Sequence, residues 1–466
     1  MPEAPSPSPP ANATPERAKS SEDRDLTQAP LLQTVVRMGI PSAIGFSAQT
    51  VFTLVNLFWV GRLGTTAIAG VTVFSTLLAI LWAFNEMIGA GSVPIISRRF
   101  GEHDEPGAIA AIYQTLFFKF GVALLVGGAG ALCASPLVHM MNATGAVAQE
   151  AIAYGRLASL NLPLLYCMVT IWTVLRAAGR AATAMRFMLG SVALNMVLDP
   201  LLMLGMGLGV RGAAIANTLT SLLFLLTGIA YLASGRAGFR LPLPPPRPWI
   251  RWRIVSSIVR IGFPATIESM ARAFALTWCV SRIANYGPVA VAATGIAQRV
   301  VDLGTVVAVG FSLGTVPIVG QCLGSGQPQR AAKAAKVAAG VTLAIVAPLV
   351  LLEELAAEPL VRLFGSTGAA LAASATAVRM LAPIQVMLAV QLPLGSSFFG
   401  AGNTVPTMVL GVAFGAMCPV LLVLAGQSAG IGSVQLVWGA LLVAYAAEMM
   451  AFIALFRRGA WMRVRL

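Results

Sequence analysis

Apolar residues in this chain fall in long, nearly unbroken runs instead of alternating at strand or amphipathic-helix period. Twelve runs approach or exceed the ~20 residues that a helix needs to cross a bilayer: 33–60, 66–97, 109–135, 155–176, 183–208, 212–233, 256–284, 289–320, 331–355, 379–398, 405–427 and 434–456. Such runs predict membrane-spanning α-helices, because in hydrocarbon each backbone N–H must find its acceptor within the segment. Several are longer than a bilayer requires, which tilt or extension beyond the membrane absorbs. Prolines inside them (Pro41, Pro94, Pro163, Pro200, Pro264, Pro317, Pro393) are tolerable where neighbouring helices or a cavity satisfy the freed carbonyls.

Composition agrees. Hydrophobic residues make up 57% of the chain and charged ones 10%, with a mean hydropathy of +0.82, whereas a soluble domain carries roughly 25% charged residues. The formal charge of +14 raises the question of nucleic acid. It is rejected as a partner because the basic residues sit in short clusters between apolar runs. Arg98 and Arg99, Arg176 to Arg186, Arg236 to Arg260, Arg330 to Lys336 and Arg457 to Arg465 all fall on loops of one side. That side, with both termini, is expected to be cytoplasmic. Residues 1–30 are rich in Pro, Ser and charge with no apolar core, and read as a disordered leader. The five cysteines are scattered singly and suggest buried thiols, not a metal or redox motif.

The connection from Ala233 to Ile254 is rich in proline and arginine and predicts a stiff cytoplasmic strap. It divides the chain into an N-lobe (31–233), a linker (234–255) and a C-lobe (256–466). The halves repeat at an offset of 223 residues, which aligns Arg37–Pro41 with Arg260–Pro264, Gly64 with Gly287, Gly91 with Gly314, Pro94 with Pro317, Gly101 with Gly324 and Gly179 with Gly402. Six spans per half make the repeats parallel. Such halves usually enclose a central cavity and alternate its access.

The most conspicuous polar residues lie in Asn195-Met196-Val197-Leu198-Asp199-Pro200, deep in an apolar run. Asn195 and Asp199, four apart, share one helix face. Pro200 has no N–H for the carbonyl of Met196. Carboxylate, amide and loosened carbonyl together are oxygen ligands suited to a proton or a small hard cation; the plainer reading is a carboxylate hydrogen-bonded for packing.

At this point the chain resembles the multidrug and toxic compound extrusion (MATE) family. The resemblance rests on Leu54-Val-Asn-Leu-Phe-Trp-Val-Gly-Arg-Leu-Gly64, Ala67-Ile-Ala-Gly70, Asn195 to Pro200, Gly209-Val-Arg-Gly-Ala-Ala-Ile-Ala-Asn217 and Phe456-Arg-Arg-Gly-Ala-Trp461. It implies an all-α integral membrane protein with two six-helix bundles in a V, in the inner membrane. Such a protein exports organic, often cationic compounds against an inward proton or sodium gradient. In one large branch the coupling site uses an Asp on the first helix, an Asn and an Asp on the fifth, and a Thr on the sixth. Here Asn195 and Asp199 match the fifth-helix pair, while Asn56 replaces the first-helix Asp and Asn217 the sixth-helix Thr. The expectation is Asp199 ringed by three amides, with one carboxylate matching one proton or one sodium, and a proton preferred. Partners are expected to be small organic substrates and the lipid bilayer, the chain a monomer, with no enzymatic activity, cofactor or metal. A lipid-linked oligosaccharide flippase of the same superfamily is the alternative.

Other charges in the apolar runs invite pairing. Glu268 and Arg272 are four apart on span 7, and Arg299 and Asp302 three apart on span 8. They read as local ion pairs, with Glu268 and Arg272 also a second cation or substrate site by resemblance to the family's helix-7 acid. Glu86 is placed opposite Lys119 at similar depth, or facing the cavity as a substrate acid. Glu448 has no evident partner and is expected to snorkel. Substrate contacts are expected from aromatic and Met side chains, Trp172, Met196, Phe46 and Phe274 among them.

Overall fold

The protein is described from a computed structural model covering residues 26–245, 250–364 and 367–464. Its twelve membrane-length helices are α1 (Leu31–Gly61), α2 (Thr65–Gly101), α3 (Glu105–Leu132), α4 (Gly145–Ala177), α5 (Ala181–Gly205), α6 (Val210–Ala233), α7 (Trp252–Ala284), α8 (Pro288–Gly324), α9 (Pro328–Leu355), α10 (Ala370–Ala401), α11 (Val405–Ser428) and α12 (Val434–Arg458). Each corresponds to one predicted run, with those of α3 and α5 ending three residues short of it. The main differences are at the starts of α4 and α10, well before residues 155 and 379, where polar and small side chains interrupt the apolar pattern but not the helix.

The duplication survives in three dimensions. At the same offset of 223, α2 maps onto α8 and α3 onto α9 residue for residue, and the short helix Ala134–Met140 maps onto Ala357–Leu363. Several of the matched glycines lie where the two halves touch. A Cβ on Gly91 of α2 would stand 2.0 Å from the Ile258 carbonyl oxygen of α7, and one on Gly262 of α7 would stand 1.9 Å from that of Met87 on α2. Nearer the helix ends, a Cβ on Gly101 would meet the Gln321 carbonyl at 2.1 Å, and one on Gly324 that of Arg98 at 2.2 Å. Only a residue without a side chain permits such backbone approach. Gln321 adds a hydrogen bond from Nε2 to the Ala177 carbonyl at 2.8 Å.

All these contacts lie at the end of the bundle where the basic loops cluster. There one continuous core joins Leu26, Val35, Met38 and Ala181 of the first half to Phe311, Ile318, Val319 and Phe398 of the second. Toward the other end the cores belong to one half each: Val60, Ala67 and Met203 in the first, Cys279, Val346 and Trp438 in the second. The result is two lobes joined at the basic end and separately packed beyond it.

Two expectations about chain segments need correction. Of the supposed leader, residues 1–25 lie outside the described residues, but Leu26 and Thr27 are buried. Leu26 packs against the Gly179 turn, and Arg330 of α9 donates to the carbonyls of Leu26 and Ala29. The strap is docked on the N-lobe through buried Ala237, Phe239 and Leu241. Tyr113 donates to the Pro242 carbonyl, and the Arg251 N–H donates to Gln114 at 2.8 Å. Residues 246–249 of the strap lie outside the described residues, and its last residues, from Trp252, already belong to α7.

A Gly262→Val substitution should therefore force the basic end apart, at an overpacking cost of about 1–3 kcal/mol. Spin-label distances measured across that end in the full-length protein are expected to lengthen relative to wild type.

Candidate functional site: two polar centres, one in each lobe

The first centre is built on the interrupted helix α5. Its α-helical part ends at Pro200 and continues as a wide π turn over Leu201–Gly205, the backbone's response to a proline that removes one ladder hydrogen bond. Just before the break, Asn195 and Asp199 both face inward and are buried. Asn56 of α1 donates from Nδ2 to Asp199 Oδ2 at 2.7 Å. The other carboxylate oxygen, Oδ1, is buried without a partner among the described residues, as is Asn195 Oδ1. The expected ring of three amides is thus reduced to one donor. Asn217 instead lines a neighbouring N-lobe cavity of about 380 Å³ with Trp82, Tyr154 and Asn161.

The C-lobe centre differs in composition. Arg272 of α7 donates Nη1 and Nη2 to Glu448 of α12 at 2.9 and 2.7 Å, a bidentate pair, while Glu268 accepts more weakly at 3.4 Å. Glu448 is fully buried, so it neither snorkels nor lacks a partner, as had been expected; a buried acid with a guanidinium within reach pairs with it instead of seeking water. Glu268 Oε2 is buried with no hydrogen bond of good geometry among the described residues. The arginine also lies 5.8 Å from the centre of the Tyr445 ring. Room for the trio comes from α11, whose backbone opens into a π turn over Gly411–Met417. A Cβ at Gly411 would meet Glu268 Cγ at 2.3 Å, and one at Gly415 would meet Arg272 Nη1 at 2.8 Å.

The MatE family model matches residues 41–201 and 264–425, two segments whose starts reproduce the repeat offset. The chain belongs to the MatE family. As a member it is a multi-pass membrane protein of the multidrug efflux transporters, which act on small molecules. The "Probable multidrug resistance protein YpnP" of Bacillus subtilis is 26% identical over 308 residues, 66% of this chain and 68% of that one. A FAD transporter of Shewanella oneidensis is 26% identical over 346 residues, covering 73% and 76%. Among solved structures, a MATE protein in complex with MaL6 superposes with a TM-score of 0.85 at 24% identity, covering 93% of this chain and 96% of that one. A Pyrococcus furiosus transporter of the MOP superfamily, described as having a binding pocket of reversed polarity, gives 0.84 at 23%, covering 94% and 98%.

Within this MATE fold the other polar residues distribute differently from expectation. Lys119 does not pair with Glu86: its Nζ donates to Asn85 Oδ1 at 2.7 Å, and Asn85 Nδ2 donates on to Glu86 at 3.3 Å. That leaves Glu86 exposed on α2 and the lysine fully enclosed. Arg299 and Asp302 do form their local pair, at 3.6 Å. Trp172 packs in the N-lobe core and Phe274 is exposed, while Met196 and Phe46 are half-buried. None of the four lines the N-lobe cavity, whose aromatic walls are Trp82 and Tyr154. Tyr154 was missed because it sits ahead of the run that marked span 4. Its only signal in the sequence was a lone polar aromatic beside small residues.

Replacing Arg272 by Met should be severe, because it strands two buried carboxylates; about 3–5 kcal/mol is expected. The double variant Arg272→Met with Glu448→Leu is expected to recover part of that loss, read as the thermal midpoint of the detergent-purified protein.

Proposed function

We propose that this MATE protein is a proton-coupled antiporter exporting organic, often cationic compounds, with Asp199 as its coupling carboxylate. The observation that carries the reading is the state of Asp199. One oxygen is held by Asn56 and the other is buried with no donor, beside a cavity large enough for a drug-sized moiety. A carboxylate there has no fixed countercharge, so its charge is met either by a bound cation or by a proton. A proton needs a single lone pair, whereas sodium needs a shell of oxygens. Near Asp199 the further candidate oxygen ligands are the free oxygen of Asn195 one turn away and groups on the cavity wall such as the Tyr154 hydroxyl, a sparse set for a metal ion.

The cycle follows from linkage between proton and substrate. The basic, closed end is taken as cytoplasmic by the distribution of Lys and Arg, with both termini on that side and the lobes parted toward the outside. In this outward state Asp199 exchanges its proton with the exterior. Protonation removes the negative charge that holds a cationic substrate, and substrate leaves. Closing the outer end and parting the glycine seam exposes the same carboxyl to the cytoplasm, where loss of the proton restores the anion for the next substrate. Glu86, exposed on α2, and Glu268 with Arg272 are assigned to the substrate path, where acids attract cations without being the coupling group. Asp199 and Glu86 carry no arginine or lysine ion pair among the described residues, and Arg272 is neutralised by Glu448 and Glu268, which supports drug export over an oligosaccharide flippase.

The test is transport by the purified full-length monomer in liposomes. An imposed pH gradient should drive uphill movement of ethidium, a sodium gradient alone should not, and Asp199→Asn should lower the pH-driven rate about tenfold or more. Sodium-driven transport that ignores the pH gradient would overturn the proton reading.

A further inference from the structure

A further buried carboxylate lies outside both centres and was invisible in the sequence. Glu353 sits in the last turn of α9, within two residues of its end, and the residue is 1% exposed. Its Oε2 accepts a short hydrogen bond from Nε2 of Gln385 on α10. Gln385 is itself completely buried, and its Oε1 accepts the backbone N–H of Gly304 on α8 at 2.9 Å. Because the amide oxygen is committed to that N–H, the amide nitrogen has to face the carboxyl. Glu353 Oε1 is buried with no partner among the described residues.

The surrounding charges give no countercharge. Glu354, next in sequence, acts on Glu353 with like sign. Arg379 of α10 acts on Glu354 and lies 3.9 Å from Glu358 on the short helix after α9, where Arg362 also sits. On α8, Arg299 and Asp302 are exposed and paired to each other. No ion pair reaches Glu353 among the described residues. Its position at a helix C-terminus adds the unfavourable end of the helix dipole to the cost of an anion.

The repeat shows that packing does not require these polar groups. At the offset of 223, Glu353, Gln385 and Gly304 correspond to Gly130, Leu162 and Leu81. In the N-lobe, Leu81 fills the space that a Cβ on Gly130 would meet at 3.0 Å. In the C-lobe the small residue is Gly304, whose missing side chain leaves room for the Gln385 amide at 2.1 Å from a built Cβ. The large residue is Glu353. The same scaffold is satisfied by an apolar trio in one lobe and carries a carboxyl–amide relay in the other.

We propose that Glu353 is a second, C-lobe proton-binding site, independent of Asp199, with Gln385 as the positioning residue that ties its carboxyl to the backbone of α8. A single free carboxylate oxygen, with the neighbouring amide oxygen already committed, offers the one lone pair a proton needs and too few ligands for sodium. The relay ends on α8, whose next turns form the interlobe crossing: a Cβ on Gly310 would meet Ala43 Cα of α1 at 2.3 Å. A change of charge at Glu353 thus acts on the helix that packs against α1 across the lobe boundary.

The experiment counts protons on the purified full-length protein in detergent, in an Asp199→Asn background so that the N-lobe site is silent. Adding Glu353→Gln should lower the number of protons bound across an acid-to-alkaline titration by about one per protein. It should also remove a carboxylic-acid C=O band from the infrared difference spectrum. Gln385→Leu, the check should Glu353→Gln fail to fold, should keep the proton but displace the midpoint of its titration. An unchanged count in Glu353→Gln, or an unmoved midpoint in Gln385→Leu, overturns the assignment. Release of the same proton by sodium chloride at fixed pH also overturns it, by making the ligand sodium. None of these outcomes depends on whether Asp199 couples transport.

Discussion

A carboxylate enclosed among apolar helices has to be paired, protonated or met by a cation, since the cost of leaving it bare exceeds what local packing can return. Much of this protein's interior can be understood as different answers to that constraint. Glu448 is paired outright, locked to Arg272 by two hydrogen bonds. Asp199 is half-satisfied by Asn56. Glu268 borrows part of an arginine already taken, and Glu353 has only an amide. The less complete the satisfaction, the more a proton gains by binding, and the better suited the group is to change its charge during a cycle. A group fully paired at rest, such as Glu448, serves better as a fixed brace between α7 and α12.

The scaffold carrying these groups is symmetric where the lobes touch and asymmetric where the chemistry sits. Glycines at Gly91 and Gly314, or Gly101 and Gly324, have equivalent duties on the two sides of the seam, because two lobes that close on one another need the same close approach from each. The polar residues have no such twins. Asn56 and Asp199 correspond to Cys279 and Leu422, which belong to or pack against the apolar C-lobe core. Glu268 corresponds to Gly45, and Gly411 beneath it to Met188, whose sulfur would lie 2.9 Å from a Cβ on Gly45. Small and large residues have exchanged places across the repeat, so volume is conserved while charge is confined to one lobe.

Spans and the repeat, with its matched glycines, were legible in the sequence because they depend on run length and on a constant spacing, both one-dimensional properties; that some of those glycines form the seam was not. Asp199 with Asn195 was legible as well, an acid and an amide on one helix face. What escaped was every contact between distant helices whose partners differ in type or depth. Asn56 was named as a member of a ring, but that it alone would donate to Asp199 depends on how α1 leans on α5. Glu448 could not be assigned to Arg272, since 176 residues of chain separate them. Glu353 and Glu354 stand side by side at the end of an apolar run, and only packing shows that Glu353 turns inward. The cavity walls were legible only by residue type: Trp172 and Trp82 are equivalent as letters, and helix rotation alone decides which one meets the cavity.

The central claim is that one site, Asp199, exchanges a proton for a substrate. It is tested most directly by adding substrate to the detergent-purified protein in weakly buffered solution and following the pH. Binding of a cationic substrate such as ethidium should release protons from wild type, and in Asp199→Asn, which mimics the protonated carboxyl, the release should disappear and binding seen by the dye's fluorescence should weaken. Substrate binding to wild type without proton release, or with undiminished release in the variant, would contradict it.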